Sequence, residues 1–259
     1  MTEDRELTDA AIRFAKAGGD VVMRHFGTDV QMDTKGVGNL VSEADLESER
    51  TILGLIRSQF PHHAVIAEES ASGSHATEGD VWIIDPLDGT NNFAHVIPHF
   101  AVSVAFYRNG QPRCGVVLNP ANEDLYVATR HQGATWNGSP IHVAAADALT
   151  DALVATGFYY DRGDMMRQTL KSMEQLFLRG VHGLRRFGTA SLDLCQVAQG
   201  RFSAYFEYQL APWDFAAGRL IVEEAGGAVT DCLGAELEVK TSSVLASNGP
   251  LHAEMLRCI

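Results

Sequence analysis

The chain has 259 residues, of which 46% are hydrophobic and 20% charged, as in ordinary globular proteins with a large core. This length suits one large domain or two small ones that share an interface. With 33 acidic and 20 basic residues the formal charge is −13, so the surface repels nucleic acid and anionic membranes. It also repels phosphorylated ligands, unless cations or backbone N–H groups compensate locally.

The first residues and the cysteines predict a cytoplasmic protein. The segment MTEDRELTDA (1–10) lacks the basic and apolar regions of a secretory signal, and the apolar runs are too short to span a bilayer. Cys114, Cys195, Cys232 and Cys258 are far apart and form no CxxC pair. Free thiols in a reducing compartment are the simplest interpretation.

Two helices are predicted before residue 64. Apolar residues recur at roughly helical spacing over 5–26. The next stretch, GTDVQMDTKGVGNL, predicts a strand or hairpin. A second helix begins near Ser42, where SEAD resembles a capping box with Asp45 in place of the usual Glu, and it ends before Pro61.

From residue 64 the pattern predicts strands. AVIAEES and VWIIDPL are short apolar runs bounded by polar turns. Asn109-Gly110 and Asn137-Gly138 are typical hairpin turns between such runs. We therefore expect residues 1–145 to form an antiparallel sheet with the two helices packed on it.

The second half, residues 146–259, alternates predicted strands and helices and is expected to form an α/β half. A strand at 152–158 precedes a helix at 164–179, and the helix in WDFAAGRLIVEEAGG ends in a glycine pair suited to a C-cap. No long linker separates the halves, and the boundary is expected near 141–151.

Acidic residues stand at the ends of several predicted elements: Asp45, Glu68, Asp85, Asp88 and Asp214. In DPLDGT, we expect Pro86 to make the chain leave its strand, so that the turn brings Asp88 beside Asp85. Asp-Pro and Asp-Gly are also common turn formers, so this motif alone leaves turn chemistry and a ligand site open.

A divalent cation would explain two neighbouring carboxylates, because they otherwise repel each other. Mg²⁺ prefers such hard oxygen ligands and shares its shell with water and phosphate. Gly89-Thr90 could open a short helix whose free N–H groups face an anion. The same dozen residues thus suggest both a metal site and a phosphate site.

The sequence resembles the inositol monophosphatase family of metal-dependent phosphomonoesterases, which is related to fructose-1,6-bisphosphatases. The matching stretches cover nearly the whole chain, and the pair DPLDGT and WDFAAG is highly specific. They are NLVSEAD (39–45), VIAEES (65–70), WIIDPLDGTNNF (82–93), IPHFAVSVAF (97–106), RRFGTASLDLCQVAQGRFSAYFE (185–207) and PWDFAAGRLIVEEAGG (212–227).

The resemblance implies a layered α-β-α-β-α sandwich, with the site at the junction of the halves. It also implies two or three Mg²⁺ ions per site. Glu68, Asp85 and the carbonyl of Leu87 would bind the first ion, and Asp85, Asp88 and Asp214 the second. A third, weaker ion would use Glu68 and mostly water.

The same resemblance implies roles in catalysis and substrate binding. Asp45 and Thr90 match the pair that orients and deprotonates the attacking water. Gly89 and Thr90 would supply backbone N–H groups to the phosphate, and Glu207 would bond a substrate hydroxyl. Further substrate-pocket positions are matched by Gly188, Thr189 and Ala190.

These roles imply hydrolysis of inositol 1-phosphate, with inhibition by Li⁺ and a homodimer as in most relatives. Relatives with the same chemistry act on fructose 1,6-bisphosphate, histidinol phosphate or 3′-phosphorylated nucleotides, and Tyr159-Tyr160 is a weak candidate for stacking a base. A regulatory, protein-binding role on the same scaffold is the alternative from another class.

In LRRFG (184–188), an arginine could meet substrate or a subunit, but a solvated face is favoured. Trp213 is expected to be a packing anchor.

Overall fold

The fold was obtained as a computed structural model that describes residues 3–28, 32–36, 39–70 and 78–259. The helices are α1 (Glu3–His25), α2 (Glu43–Gln59), α3 (Thr90–Ala94), α4 (Asp164–Leu178), α5 (Ala190–Ala198), α6 (Pro212–Glu224) and α7 (His252–Met255), with a 3-10 turn at Leu149–Asp151. The strands are β1 (Met32–Gly36), β2 (Asn39–Ser42), β3 (Ala64–Ala67), β4 (Asp80–Asp88), β5 (Ala101–Arg108), β6 (Gln111–Asn119), β7 (Asp124–Thr129), β8 (Ala134–Trp136), β9 (Ser139–Pro140), β10 (Leu153–Thr156), β11 (Gly183–Arg185), β12 (Ala204–Leu210), β13 (Ala228–Thr230) and β14 (Ser242–Ser247).

These elements stack in alternating layers, as the resemblance implied. Helices α1 and α2 pack on one face of a seven-stranded sheet, and α6 packs on its other face. Helices α5 and α6 also contact a five-stranded sheet, whose far face carries α4 and α7. The molecule is therefore a mixed α/β sandwich in which α5 and α6 form the shared middle layer.

The first sheet has the order β3-β4-β5-β6-β7-β8-β9 and is antiparallel except for one pair. Strands β3 and β4 are parallel, with Ala64 opposite Val81. The expectation of a wholly antiparallel sheet is therefore wrong at this edge. The physical reason is the connection, which runs from residue 68 to residue 79 and is long enough to return the chain to the same end of the sheet.

The second sheet has the order β11-β10-β12-β14-β13. Its strand β10 is parallel to both β11 and β12, whereas β14 is antiparallel to its two neighbours. This mixture is typical of an α/β half in which helices connect parallel strands. The predicted division at residues 145 and 146 falls between the two sheets and stays a prediction.

Helix α6 packs closely on the first sheet and on α5, and each of these contacts needs a glycine. A Cβ atom on Gly115 in β6 would lie 2.7 Å from the carbonyl oxygen of Ala217, and one on Gly218 would lie 2.6 Å from Leu194 Cδ1. Backbone and side chain therefore approach more closely than any larger residue allows. Helix α6, which begins two residues before Asp214, is fixed on both sides.

Membrane insertion finds no support in the described helices. Over residues 3–28, 32–36, 39–70 and 78–259, no helix combines the length and the apolar composition that a membrane span requires.

Candidate active site

A cavity of about 360 Å³ opens where strands of both sheets end. The segments after the carboxyl ends of β3, β10 and β11 line it, together with the last residues of β4 and β12 and the start of α6. Ligand sites of α/β proteins commonly lie outside such strand ends. The acids in the wall are Glu68, Asp85, Asp88, Glu207 and Asp214.

A β-bulge at the end of β4 turns several candidate ligands toward this cavity. Asp85 lies opposite Ser103 and Asp88 opposite Ala101, so three steps on β4 match two steps on β5. The expectation that Pro86 makes the chain leave the sheet is therefore wrong. The bulge accommodates a residue without an N–H while the strand continues to Asp88.

Asp85 is almost completely buried at this bulge. Its Oδ1 accepts a hydrogen bond from the N–H of Leu87 at 3.0 Å. Burial raises the pKa of Asp85 well above its usual value, and the charges of Glu68, Asp88 and Asp214 raise it further. The four carboxylates are thus close enough to repel one another.

Asp88 connects the two halves of the molecule. Its Oδ2 accepts hydrogen bonds from the N–H and the Oγ of Ser191 in α5, at 2.8 and 2.6 Å. Burial raises the pKa of Asp88 to about 6, against the opposing effect of these bonds. The serine therefore fixes one carboxylate oxygen, and the backbone N–H of Ala190 gives the carboxylate a further bond.

Asp214 is placed by the first turn of α6, which begins at Pro212. Its Oδ2 accepts a hydrogen bond from the N–H of Ala211 at 2.7 Å. Burial raises the pKa of Asp214 well above its usual value, and the charges of Asp88 and Glu68 add to the shift. The helix start thus aims this carboxylate at the acids of the first sheet.

The chemistry of this donor set fits Mg²⁺. Within the described ranges, no group of three or more His, Cys, Asp or Glu side chains is arranged so that it could hold a metal ion. Mg²⁺ can be held by one or two carboxylates, with water and phosphate in the remaining positions. The first implied set needs only two carboxylates, whereas the second needs three and is not assembled in the described structure. The implied sets share Asp85 and use Glu68 with the Leu87 carbonyl on one side and Asp88 with Asp214 on the other. All of these residues line the cavity.

Asp45 lies behind Thr90, which lines the cavity. The Oγ1 of Thr90 is 3.1 Å from Asp45 Oδ1 and 3.1 Å from the Leu87 carbonyl oxygen. Asp45 Oδ2 accepts hydrogen bonds from the N–H and Oγ of Ser42 at 2.8 and 2.5 Å, as the capping pattern predicted. Burial raises the pKa of Asp45 to about 7, although the Ser42 bonds oppose the shift.

Gly89 precedes α3 and has a φ of 92°, a conformation that favours glycine. A Cβ there would collide with the Oγ1 of Thr189 and lie 3.2 Å from the His99 carbonyl oxygen. Of the other predicted pocket positions, Gly188 and Ala190 line the cavity. Thr189 is fully buried, does not line the cavity, and donates its hydroxyl to the His99 carbonyl at 2.9 Å.

Glu207 lies on the part of the wall formed by the second sheet. Its Oε2 accepts a hydrogen bond from the hydroxyl of Tyr205 at 2.6 Å. Burial raises the pKa of Glu207 to about 7, although the Tyr205 bond opposes the shift. The carboxylate packs against Gly157 so closely that a Cβ there would overlap it. A single glycine therefore makes room for this acid.

Several residues of the site have weak or no signals in the sequence. Tyr205 could have been found from the two-residue period of its strand, which places it on the same face as Glu207. Ser191 and Gly157 carried no signal that separates them from structural residues. Arg186 and Trp213 both line the cavity, although a solvated face and a packing role were favoured for them. Tyr159 and Tyr160 line it too.

Comparisons with known proteins agree with this geometry. The model of the inositol monophosphatase family matches residues 3–259. The relative "Phosphatase IMPL1, chloroplastic" of Arabidopsis thaliana is 41% identical over 251 residues, covering 95% of this chain and 67% of the relative. "Putative Nus factor SuhB" of Neisseria meningitidis serogroup B is 40% identical over 253 residues, or 97% of both chains. The solved structure of inositol monophosphatase from Anabaena (Nostoc) sp. PCC 7120 superposes with a TM-score of 0.89 at 36% identity, covering 99% of this chain and 96% of that one.

The match to the family extends over the described fold and both sequence motifs, so the resemblance and the fold class are confirmed. Members of this family are phosphatases of small phosphorylated substrates and generally depend on Mg²⁺. The chain belongs to the inositol monophosphatase family.

Proposed function

We propose that the protein is a Mg²⁺-dependent phosphomonoesterase that hydrolyses inositol 1-phosphate to inositol and phosphate. One observation carries the proposal: Glu68, Asp85, Asp88 and Asp214 line the same cavity as Glu207. The first four acids can hold cations beside the phosphate. The fifth can accept a hydrogen bond from a hydroxyl of the leaving group.

When bound by these acids, Mg²⁺ supplies positive charge to the phosphate and activates water for attack. This charge also compensates the repulsion expected from a surface of net charge −13. We assign Glu68, Asp85 and the Leu87 carbonyl to one ion and Asp85, Asp88 and Asp214 to another. A third, weaker ion would use Glu68.

Asp45 and Thr90 are assigned to proton removal from the attacking water. The Thr90 hydroxyl is within hydrogen-bond reach of Asp45, so a proton taken by Thr90 can pass to the carboxylate. A pKa of about 7 suits Asp45 to this task, because a general base works best near the operating pH. The N–H groups of Gly89 and Thr90 are assigned to the phosphate oxygens.

The leaving group is assigned to the end of the cavity near Glu207. An ionised Glu207 accepts a hydrogen bond from a polyol hydroxyl, and Tyr205 fixes its other bonds. Gly188 and Ala190 complete this part of the wall, and Thr189 supports it from within. An inositol ring carries several hydroxyls that fit this acceptor.

Phosphate release with and without Mg²⁺ tests the proposal, with Asp88→Asn as the site variant. We expect release to require Mg²⁺ and to fall sharply in the variant, since the amide removes the charge of one ligand. Asp20→Asn, an exposed change in α1, is the matched control and should behave like the wild type. Full turnover by Asp88→Asn would disprove the metal assignment.

A substrate panel tests the leaving group. Inositol 1-phosphate should have the highest kcat/KM, and Li⁺ in the millimolar range should inhibit. The alternatives are fructose 1,6-bisphosphate, histidinol phosphate and a 3′-phosphorylated nucleotide. The position of Tyr159 and Tyr160 in the wall supports the nucleotide, because bases stack on aromatic rings. Preference for any of these would replace inositol 1-phosphate as the substrate.

A regulatory role through a protein partner is the second candidate. It is favoured by the name of a relative, "Putative Nus factor SuhB", which is 40% identical over 97% of both chains. A stoichiometric partner in a pull-down, with a cell phenotype that Asp88→Asn leaves unchanged, would support it. Loss of the phenotype in that variant would favour the enzyme.

We also propose a cytoplasmic homodimer. Four buried free cysteines suit a reducing compartment, and Val96, Ile97 and Phe187 expose apolar side chains of the kind that subunits cover. Light scattering should give twice the chain mass of 28.1 kDa. A mass equal to one chain at micromolar concentration would contradict the dimer.

A further inference from the structure

Arg186 differs in charge from the rest of the charged cavity wall. Among the described residues that line the cavity, it is the one cation, beside five acids. It follows β11 directly, and its neighbour Arg185 belongs to that strand. The side chain of Arg185 is turned to the carbonyl of Leu184, 3.0 Å away, and does not line the cavity. The two arginines therefore have the same charge but different surroundings.

Gly188 has no side chain, and this allows the guanidinium of Arg186 to lie close to the backbone at that residue. A Cβ there would lie 2.7 Å from the Nη1 of Arg186, and Gly188 has a φ of 85°. Within the described ranges, no hydrogen bond or ion pair joins the Arg186 side chain to another residue. The Glu207 and Asp193 carboxylates are within its electrostatic reach but make no such contact. Its donors therefore remain available to a ligand.

A second groove of about 300 Å³ begins at the same arginine. Phe158 and Arg186 line both the cavity and the groove, so the two spaces share part of their wall. Arg162, Met166 and Leu170 complete the groove. A leaving group longer than a single ring would extend past Glu207 and Arg186 toward these apolar walls.

We propose that Arg186 is a specificity-determining residue that binds a second anionic group on the leaving group of the phosphate ester. This inference rests on the phosphatase function proposed above. An anion in this acidic cavity needs a local cation, and a guanidinium can donate two parallel hydrogen bonds to a carboxylate or a phosphate.

The test uses three esters that share a six-carbon chain and differ at the end far from the reacting phosphate. Glucitol 6-phosphate ends in a hydroxyl, 6-phosphogluconate in a carboxylate, and glucitol 1,6-bisphosphate in a phosphate. Initial phosphate release with Mg²⁺ gives kcat/KM for the wild type, Arg186→Gln, Arg186→Lys and the matched control Arg185→Gln. Thermal unfolding by circular dichroism checks that each variant folds.

In Arg186→Gln, we expect kcat/KM for the anionic esters to fall by about 10- to 100-fold more than for glucitol 6-phosphate, the range for loss of a charge-assisted hydrogen bond. Arg186→Lys should fall in between, because it keeps the charge but not the fork. Arg185→Gln should leave all the ratios as in the wild type. A larger loss for the carboxylate or for the phosphate identifies which anion is recognised.

Two results would overturn the inference alone while the wild type remains an active phosphatase. One is an equal loss for all three esters in Arg186→Gln. The other is the same change of ratio in Arg185→Gln, which would show a general charge effect. A folded wild type that releases phosphate from none of these esters or from inositol 1-phosphate would overturn the proposed function, and the inference with it.

Discussion

Asp45 differs from the other acids of the site because both of its carboxylate oxygens already accept hydrogen bonds from neighbouring residues. Ser42 occupies one oxygen and Thr90 the other. It therefore has little capacity left for a cation, whereas Asp214 accepts a hydrogen bond on only one oxygen in the described contacts. This difference supports the role of general base that we propose for Asp45.

Replacing Asp45 by Asn should lower kcat by about 10²- to 10⁴-fold, the usual contribution of a general base. The amide keeps the size of the side chain but cannot accept the proton. Steady-state phosphate release under saturating Mg²⁺ measures the effect. Glu43→Gln, an exposed change in the same helical turn, should leave kcat unchanged. A kcat of Asp45→Asn within a few-fold of the wild type would contradict the assignment.

Gly89→Ala should lower the free energy of unfolding by more than the cost of placing alanine in a left-handed backbone conformation. Gly110 has a φ of 74° with no atom near its missing Cβ, so Gly110→Ala should cost about 1 kcal/mol. At Gly89 the new methyl group also meets Thr189 and the backbone at His99, which adds about 1–3 kcal/mol. Urea unfolding gives both free energies. Equal losses of unfolding free energy in Gly89→Ala and Gly110→Ala would show that Thr189 moves aside at little energetic cost.

At the scale of elements, the turn between α2 and β3 is fixed to β4 through His63. The Nδ1 of His63 accepts a hydrogen bond from Trp82 Nε1 at 3.1 Å, and Phe60 stacks on the ring with centroids 4.9 Å apart. Protonation of Nδ1 would remove this acceptor. The turn therefore depends on a neutral imidazole.

Stability should consequently fall as the pH drops through the range in which His63 titrates. Burial lowers the pKa of His63 below its usual 6.5 in the folded state, against the opposing charge of Asp80. The unfolded chain therefore binds the proton first, so this contribution is complete above about pH 6.5 and is lost toward the lower folded pKa.

The measurement is Tm against pH for the wild type and for His63→Asn, whose amide can still accept from Trp82 but does not titrate. The Tm of the wild type relative to the variant should decrease as the pH falls from 8 to 5. Parallel profiles would mean that His63 is not responsible.

Elements marked by short sequence motifs, such as the hairpin turns, were predicted well from the sequence. The hairpin turns at Asn109-Gly110 and Asn137-Gly138 are confirmed, and these four residues have positive φ. The continuation of β4 past Pro86 was not predictable, because a bulge depends on the register with β5. The bond from Ser191 to Asp88 was also missed, since no local rule relates residues in different halves. Local chemistry was thus predictable, and long-range register was not.

The site residues followed a similar division. The acids were predicted from the resemblance to the family motifs, and Glu68, Asp85, Asp88, Glu207 and Asp214 do line one cavity, while their roles stay predictions. The surroundings of Glu207 were not, because Gly157 and Tyr205 act only through the shape of the second sheet. Motifs identify reacting groups, while the residues that position them depend on packing.

At the scale of the whole molecule, the carboxylates around the cavity oppose folding. Burial and mutual repulsion raise the pKa values of Asp85 and Asp214, so their ionised forms are unfavourable in the folded state. A bound cation reverses this effect. Mg²⁺ should therefore raise Tm, with a stabilisation of about 2.7 kcal/mol at a concentration of 100 Kd.

Thermal unfolding in EDTA, in MgCl₂ and in NaCl of matched ionic strength measures this effect. We expect MgCl₂ to raise Tm well beyond NaCl, and Asp88→Asn to reduce the difference. Equal shifts in the two salts would indicate screening of the −13 charge rather than binding at the site.

The hydrogen bonds between Asp88 and Ser191 also bear on the order of events during synthesis. These residues are 103 positions apart in the chain, and Asp214 comes later still. Every strand of the first sheet has left the ribosome before α5 and α6 exist to meet it. A nascent chain of this protein therefore carries its acids for a long time without their partners. The proposed metal sites would be complete only when the last third of the chain docks, so catalytic competence would report that folding is complete.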